Sequence, residues 1–254
     1  MAIEDTPRLH FAHLPTSIEA LPRLSEALGG PRLLIKRDDQ TGLACGGNKT
    51  RKLEFLVAEA RDAGAETLIT GGALQSNHCR QTAAAAARFG FKCILVLSGD
   101  KPQQASGNLL LDQTFGAEIV YVADRKDRDR ILRETFDGAT NDRKKPYLIP
   151  YGGSNATCAF GYAFPMKELI DQNVDADWIV FATSSDGTHA GLLLRQRIFG
   201  FSGRILGISV DAGHRLRGLD SARSGASVDS LGSAACSQAL FRASSPATSG
   251  RRSL

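Results

Sequence analysis

The sequence predicts an α/β fold built on parallel sheets with helices on both faces. Three observations carry that expectation. Short, continuously apolar runs alternate with helix-length segments from about residue 49 to 210. Apolar residues in the intervening segments fall at helical spacing, and two strand-to-helix turns are rich in glycine and hydroxyl side chains. Strands that are apolar on both faces and separated by helices belong to sheets covered on both sides.

The elements follow in order. Leu53, Leu56, Val57 and Ala60 recur at i, i+3, i+4 and i+7 and mark a half-buried helix that Gly64 ends. Thr67 to Thr70 is a short strand running into Gly71-Gly72. Asn77 to Arg88, with alanine at 83 to 87, is a tightly packed helix closed by Gly90. Cys93 to Leu97 is a strand and Gly107 to Phe115 a helix. The strands Ile119–Val122 and Tyr147–Ile149 flank a charged helix around 126 to 136. A helix near 157 to 172, a strand Trp178–Ala182, a helix near 189 to 199 and a strand Ile205–Val210 complete the pattern.

After Val210 the character changes. Residues 211 to 254 hold ten Ser and six Arg, no Lys, and one aromatic residue, Phe241. With no helical or strand period, this stretch is expected to be a poorly ordered tail. The net charge of +4 owes much to it, since residues 1 to 210 carry only +1. Nucleic acid is therefore not the expected partner. Apolar residues make up 42% of the 254 and no apolar run approaches a membrane span, while Ile3-Glu4-Asp5 does not suit a secretory leader. Five scattered cysteines without a CxxC pair fit a reducing cytoplasm and give neither a disulfide framework nor a metal site.

Three loops carry candidate chemistry. In Gly46-Gly47-Asn48-Lys49-Thr50-Arg51-Lys52 a glycine turn feeds a helix start, with Lys49 at the junction. Neighbouring cations and partial burial favour the neutral amine that carbonyl condensation requires. The same cluster also suits a solvated basic first turn. In Gly71-Gly72-Ala73-Leu74-Gln75-Ser76-Asn77-His78 a strand ends where ligands bind in open α/β sheets. Ser76 and Asn77 would present a hydroxyl and an amide there or simply cap the helix, in which case His78 is a helix residue with no special task; it ranks below Ser76 and Asn77 as a candidate. Thr183-Ser184-Ser185-Asp186-Gly187-Thr188 fits a phosphate cradle at a helix start, or a capped turn. It lacks a P-loop lysine, and no GxGxxG follows a strand, which disfavours nucleoside triphosphates and dinucleotides. An imine-forming lysine, a polar loop and a phosphate cradle together describe a site for pyridoxal 5'-phosphate.

The stretches Ile35–Asp39, Gly46–Glu54, Gln75–His78 and Gly187–Gly191 closely resemble the D-cysteine desulfhydrase and 1-aminocyclopropane-1-carboxylate (ACC) deaminase family, with L-cysteate sulfo-lyase a near relative. The resemblance runs from about Leu9 to Val210. It implies the fold-type II architecture of tryptophan synthase β, in two domains. The smaller would span 52–157, inserted into a larger one formed by 1–51 and 158–210. It further implies Lys49 as the Schiff-base lysine and a candidate base for the Cα proton. Lys52 would hold the cofactor phosphate, helped by Ser184, Ser185, Gly187 and Thr188, and Asn77 would bond the pyridine 3-oxygen. Ser76 would meet the substrate carboxylate or assist proton transfer.

The implied reaction is β-elimination on a small amino acid by a cytoplasmic homodimer, from D-cysteine to pyruvate, hydrogen sulfide and ammonia. His78 after Gln-Ser-Asn is more like the desulfhydrase and sulfo-lyase branch than the deaminase. The family pattern beyond Val210, a tyrosine-bearing loop and the group facing the pyridine nitrogen, has no match in Asp211–Leu254. This implies an incomplete larger domain with weak or absent catalysis.

Overall fold

The computed structural model describes residues 6–153, 156–183, 187–209, 216–217 and 239–243. The chain opens with β1 (Ile18–Ala20), α1 (Pro22–Ala27) and β2 (Arg32–Lys36), and a glycine-bearing loop then leads into α2 (Lys49–Asp62). Next come β3 (Thr67–Ala73), α3 (Asn77–Phe89), β4 (Lys92–Ser98), α4 (Gly107–Thr114), β5 (Glu118–Val122), α5 (Arg128–Asn141) and β6 (Pro146–Leu148). The last elements are α6 (Ala156–Asp171), β7 (Trp178–Thr183), α7 (Gly187–Phe199), β8 (Arg204–Ser209), β9 (Leu216–Arg217) and β10 (Ala239–Ala243).

The expected strands over 67–149 form one four-stranded sheet in the order β5-β4-β3-β6, parallel throughout. Its side chains alternate between two hydrophobic clusters. Leu68, Leu95 and Leu97 pack with α2 and α3, whereas Ile69, Ile94 and Val96 pack with Leu132 and Ala139 of α5. Both faces are thus covered, as continuously apolar strands require. Ala83 to Ala86 of α3 are all buried, and their small side chains let the helix lie close to the sheet. That helix ends where the sequence places its end, at Gly90, whose φ of 78° is left-handed.

The second sheet runs β1-β2-β10-β7-β8-β9 and is mixed, with only β7 and β8 parallel. A third cluster lies against it, containing Tyr162, Met166, Ile179, Phe181, Leu192 and Ile205. The hairpin-like β1–β2 pair escapes the sequence reading because its strands are short and half-buried. The expectation of a strandless tail is corrected at two points, Leu216–Arg217 and Ala239–Ala243; the rest of 211–254 lies outside the described residues. β10 lies between β2 and β7, antiparallel to both, and so pairs backbone groups that each would otherwise leave open. This pairing outweighs the weak strand pattern of Ala-Leu-Phe-Arg-Ala.

Among the described residues, the carboxyl of Asp112 in α4 is buried with no hydrogen bond on either oxygen. Burial pushes its pKa up from 3.8 to about 7, against the opposing charge of Arg80. The unfolded chain therefore releases this proton first as pH rises, so the Asp112 contribution to stability falls from about pH 4 to about pH 7. Asp112→Asn should flatten that slope. In urea unfolding at pH 5 and pH 8, the wild-type protein should lose a few kcal/mol more than the variant, at about 1.4 kcal/mol per pH unit of displacement.

Candidate active site

The loop before α2 is held in a conformation that side chains resist. Ala44, Cys45, Gly46 and Gly47 all have positive φ, at 47°, 67°, 72° and 123°. A Cβ at Gly46 would collide with the Asp39 carbonyl oxygen, and one at Gly47 would stand 2.5 Å from Gln81 Nε2. Thr41 Oγ1 donates to the Gly47 carbonyl at 2.6 Å and Arg80 Nη2 to the Gly46 carbonyl at 3.0 Å. The pinned loop delivers Lys49 and Lys52, three residues apart, to one face of the first turn of α2, with both side chains buried. Lys52 Nζ donates to the Gly152 carbonyl at 3.4 Å.

Arg51, two residues from Lys49, turns another way. Its Nε and Nη2 donate to Asp38 at 2.9 and 2.8 Å, and its Nη1 and Nη2 to Glu168 at 2.6 and 2.9 Å. Lys36 completes the network, 2.7 Å from Glu168. Burial disfavours the Arg51 charge, but the two carboxylates more than offset it and raise its pKa. The Arg51 charge beside Lys49 is thus paired with Asp38 and Glu168. The basic cluster is not a solvated first turn, since all three side chains are buried.

The turn after β3 faces this helix start. Ser76 caps α3 by accepting from Cys79 N at 3.2 Å, and it also walls a cavity of about 210 Å3. The other walls are Lys49, Ala73, Gln75, Asn77, His78, Tyr151 and Gly152. Capping and a site role thus coexist in Ser76. Asn77 also borders a second cavity of about 810 Å3 that reaches Gly46, Gly47 and Asn48. Lys49, Ser76 and Asn77 are therefore brought together, with Lys52 attached through Gly152.

Gly187 and Thr188 open α7 at the end of β7, with Thr188 buried, and wall neither cavity; Ser184 and Ser185 lie outside the described residues. Tyr151 and Gly152 escape the sequence reading. The signal that finds them is their place just after a strand at the carboxyl edge of a parallel sheet, beside the turn that follows β3. Arg128 stacks on the Tyr151 ring at 4.1 Å and holds it in the wall.

His78 also stands in the wall of the smaller cavity. It is buried against the cavity with Nε2 3.0 Å from Thr70 Oγ1, and its Nδ1 makes no hydrogen bond among the described residues. Burial, then the charges of Lys49 and Lys52, hold its pKa down to about 3. A buried amine, Lys49, in the wall of the smaller cavity fits a carbonyl-bearing ligand, and Asn77 joins that cavity to the larger one, where the glycine loop without room for side chains lets a ligand approach the backbone. His78 should therefore remain neutral at pH 5, read from its ring nitrogen shifts by NMR, where an imidazole of pKa about 6.5 is mostly charged. Arg51→Ala removes the cation from buried Asp38 and leaves part-buried Glu168 with Lys36 alone, and should cost about 3 kcal/mol in chemical unfolding.

Comparison with known proteins agrees with this geometry. Residues 9–240 match the family model described as pyridoxal-phosphate dependent enzyme. A solved structure described as an ACC deaminase homologue is 38% identical, with a TM-score of 0.77 over 82% of this chain. The chain spans 64% of that protein's length. A pyridoxal 5'-phosphate-dependent aspartate racemase (20% identical) and maize serine racemase (19%) each align over 76% of this chain and 56% and 55% of their own, both with a TM-score of 0.62, and so share the fold. The match across 9–240 takes in the whole four-stranded sheet, the second sheet up to the start of β10 and every described wall of the lysine cavity, and on that extent the chain belongs to the pyridoxal-phosphate dependent enzymes.

Proposed function

We propose that the chain is a β-eliminating lyase that converts D-cysteine and water to pyruvate, hydrogen sulfide and ammonia. The observation that carries this reading is the convergence of buried Lys49 with Ser76, Asn77 and His78 on one cavity. The Gln75–His78 sequence supports the desulfhydrase branch through its histidine. Bound pyridoxal phosphate supplies an electron sink for the pair left on Cα.

The residues divide the remaining work. Lys49 Nζ would hold the aldehyde and take the Cα proton, and a buried amine beside other cations suits both tasks. Lys52 would face the phosphate from the same side of α2, with Gly187 and Thr188 contributing backbone N–H groups at the start of α7 and Ser184 and Ser185 completing the loop. Asn77 would bond the pyridine 3-oxygen. The Ser76 hydroxyl keeps its proton while capping α3, and so would donate to a substrate carboxylate. The resemblance also supports a smaller unit over 52–157 and a cytoplasmic homodimer.

A second reading, deamination of ACC, is favoured by the 38% identity to the ACC deaminase homologue. The test is a panel of D-cysteine, L-cysteate, D-serine and ACC, scored for keto acid with cofactor present. D-cysteine should give pyruvate and sulfide fastest; faster keto-acid release from ACC would favour the second reading. Cofactor binding without turnover of any member would mark an impaired relative. Borohydride reduction followed by peptide mapping should place the pyridoxyl label on Lys49, and Lys49→Ala should abolish both label and yellow colour. A label on another lysine would overturn the assignment.

A further inference from the structure

We propose that Asn108, at the start of α4, is a positioning residue that fixes which end of the Asn77 amide faces the cofactor; this rests on the cofactor reading above. An amide side chain has an accepting end and a donating end, and only the donor suits a pyridine oxygen. Asn77 Oδ1 accepts from Asn108 Nδ2 at 2.9 Å and from Arg80 Nη2 at 3.2 Å. With two donors on its oxygen, the Asn77 amide has its accepting end committed to α3 and α4. Asn77 itself borders both cavities, so the orientation of its Nδ2 decides what the site offers a ligand.

Asn108 is held for this task by its own bonds. Its Nδ2 also donates to the Gln75 carbonyl at 2.8 Å, and its backbone N–H donates to Gln75 Oε1 at 2.8 Å. Gln75 Nε2 returns a bond to the Ser106 carbonyl at 3.1 Å. Gly107 between them has a φ of 55°, and a Cβ there would sit 2.5 Å from Gln75 Oε1, so any side chain would wedge the clasp open. The exposed turn after β3 and the first turn of α4 therefore move as one piece. Arg80 extends that piece to the Gly46 carbonyl, three residues before Lys49.

The test uses two substitutions of different chemistry. Asn108→Asp keeps size and shape but sets a carboxylate against Asn77 Oδ1, so Asn77 must turn its donor away from the cavity. Asn108→Ala removes the bond and leaves Arg80 alone on the oxygen. Titration with pyridoxal phosphate should show cofactor affinity reduced about tenfold in Asn108→Asp and less in Asn108→Ala, the scale of one charged hydrogen-bond mismatch. The visible band of the bound cofactor should shift with Asn108→Asp. In an Asn77→Ala background neither substitution should weaken binding further.

Equal losses in both backgrounds, or none in either, would overturn the proposal. A cofactor-free arm reads the clasp itself: the Asn77 side-chain NH2 signals of 15N-labelled protein should move on Asn108→Ala, and unmoved signals would also overturn it. Signals that move in a protein unable to bind pyridoxal phosphate would refute the cofactor reading while leaving the orientation of Asn77 by Asn108 intact.

Discussion

Arg51 lies against Asp38 and Glu168, with the guanidinium and the Asp38 carboxylate buried and Glu168 largely so. Its guanidinium joins three distant parts of the chain: the turn after β2, the first turn of α2 and the body of α6. Thr16 Oγ1 accepts from Arg51 Nη2 and donates to Asp38, tying in the N-terminal segment as well. Gly161 of α6 allows this approach, since a Cβ there would stand 2.8 Å from the Arg51 carbonyl oxygen. Two residues earlier and one residue later are the lysines of the site. The helix turn that sets their direction is fixed by this charge network.

Against this fixed helix start the parallel sheet presents its carboxyl edge. β3 and β6 are hydrogen-bonded neighbours, so the loops that follow them emerge side by side. One brings Gln75, Ser76 and Asn77, and the other brings Tyr151 and Gly152. The site is thus made where two glycine-bearing turns meet a helix N-terminus. This is the position at which backbone N–H groups and small residues can approach a ligand most closely.

Much of this is legible in the residues. The helical spacing of Leu53 to Ala60, the alanine run closed by Gly90 and the apolar strands over 67–149 all have a strong local signal, and the structure follows them closely. Lys49, Ser76 and Asn77 stand out in the sequence because a glycine turn beside a helix start leaves room for a ligand against exposed backbone N–H groups. Tyr151 carries no such mark, for an aromatic residue in a loop reads as ordinary until the neighbouring strand is known. The setting of His78 is not legible in the sequence because it is made by Thr70, Lys49 and Lys52, which no single stretch contains. The pairing of Arg51 is hidden for a similar reason, since its partners lie 13 and 117 residues away. β10 has a weak strand pattern of its own and is defined by the two strands that accept it.

The contrast between the sheets also bears on the order in which the newly made chain takes shape. All strands of the four-stranded sheet lie between Thr67 and Leu148, whereas the other sheet pairs Lys36 with Ala239. On the ribosome the first can condense while the second still lacks its middle, and the cost of closing so long a loop falls on the later event. Glu168 also emerges late, so the guanidinium that orients the head of α2 waits for it. The second sheet would then close last, when the strand at 239–243 slots in between its two waiting neighbours.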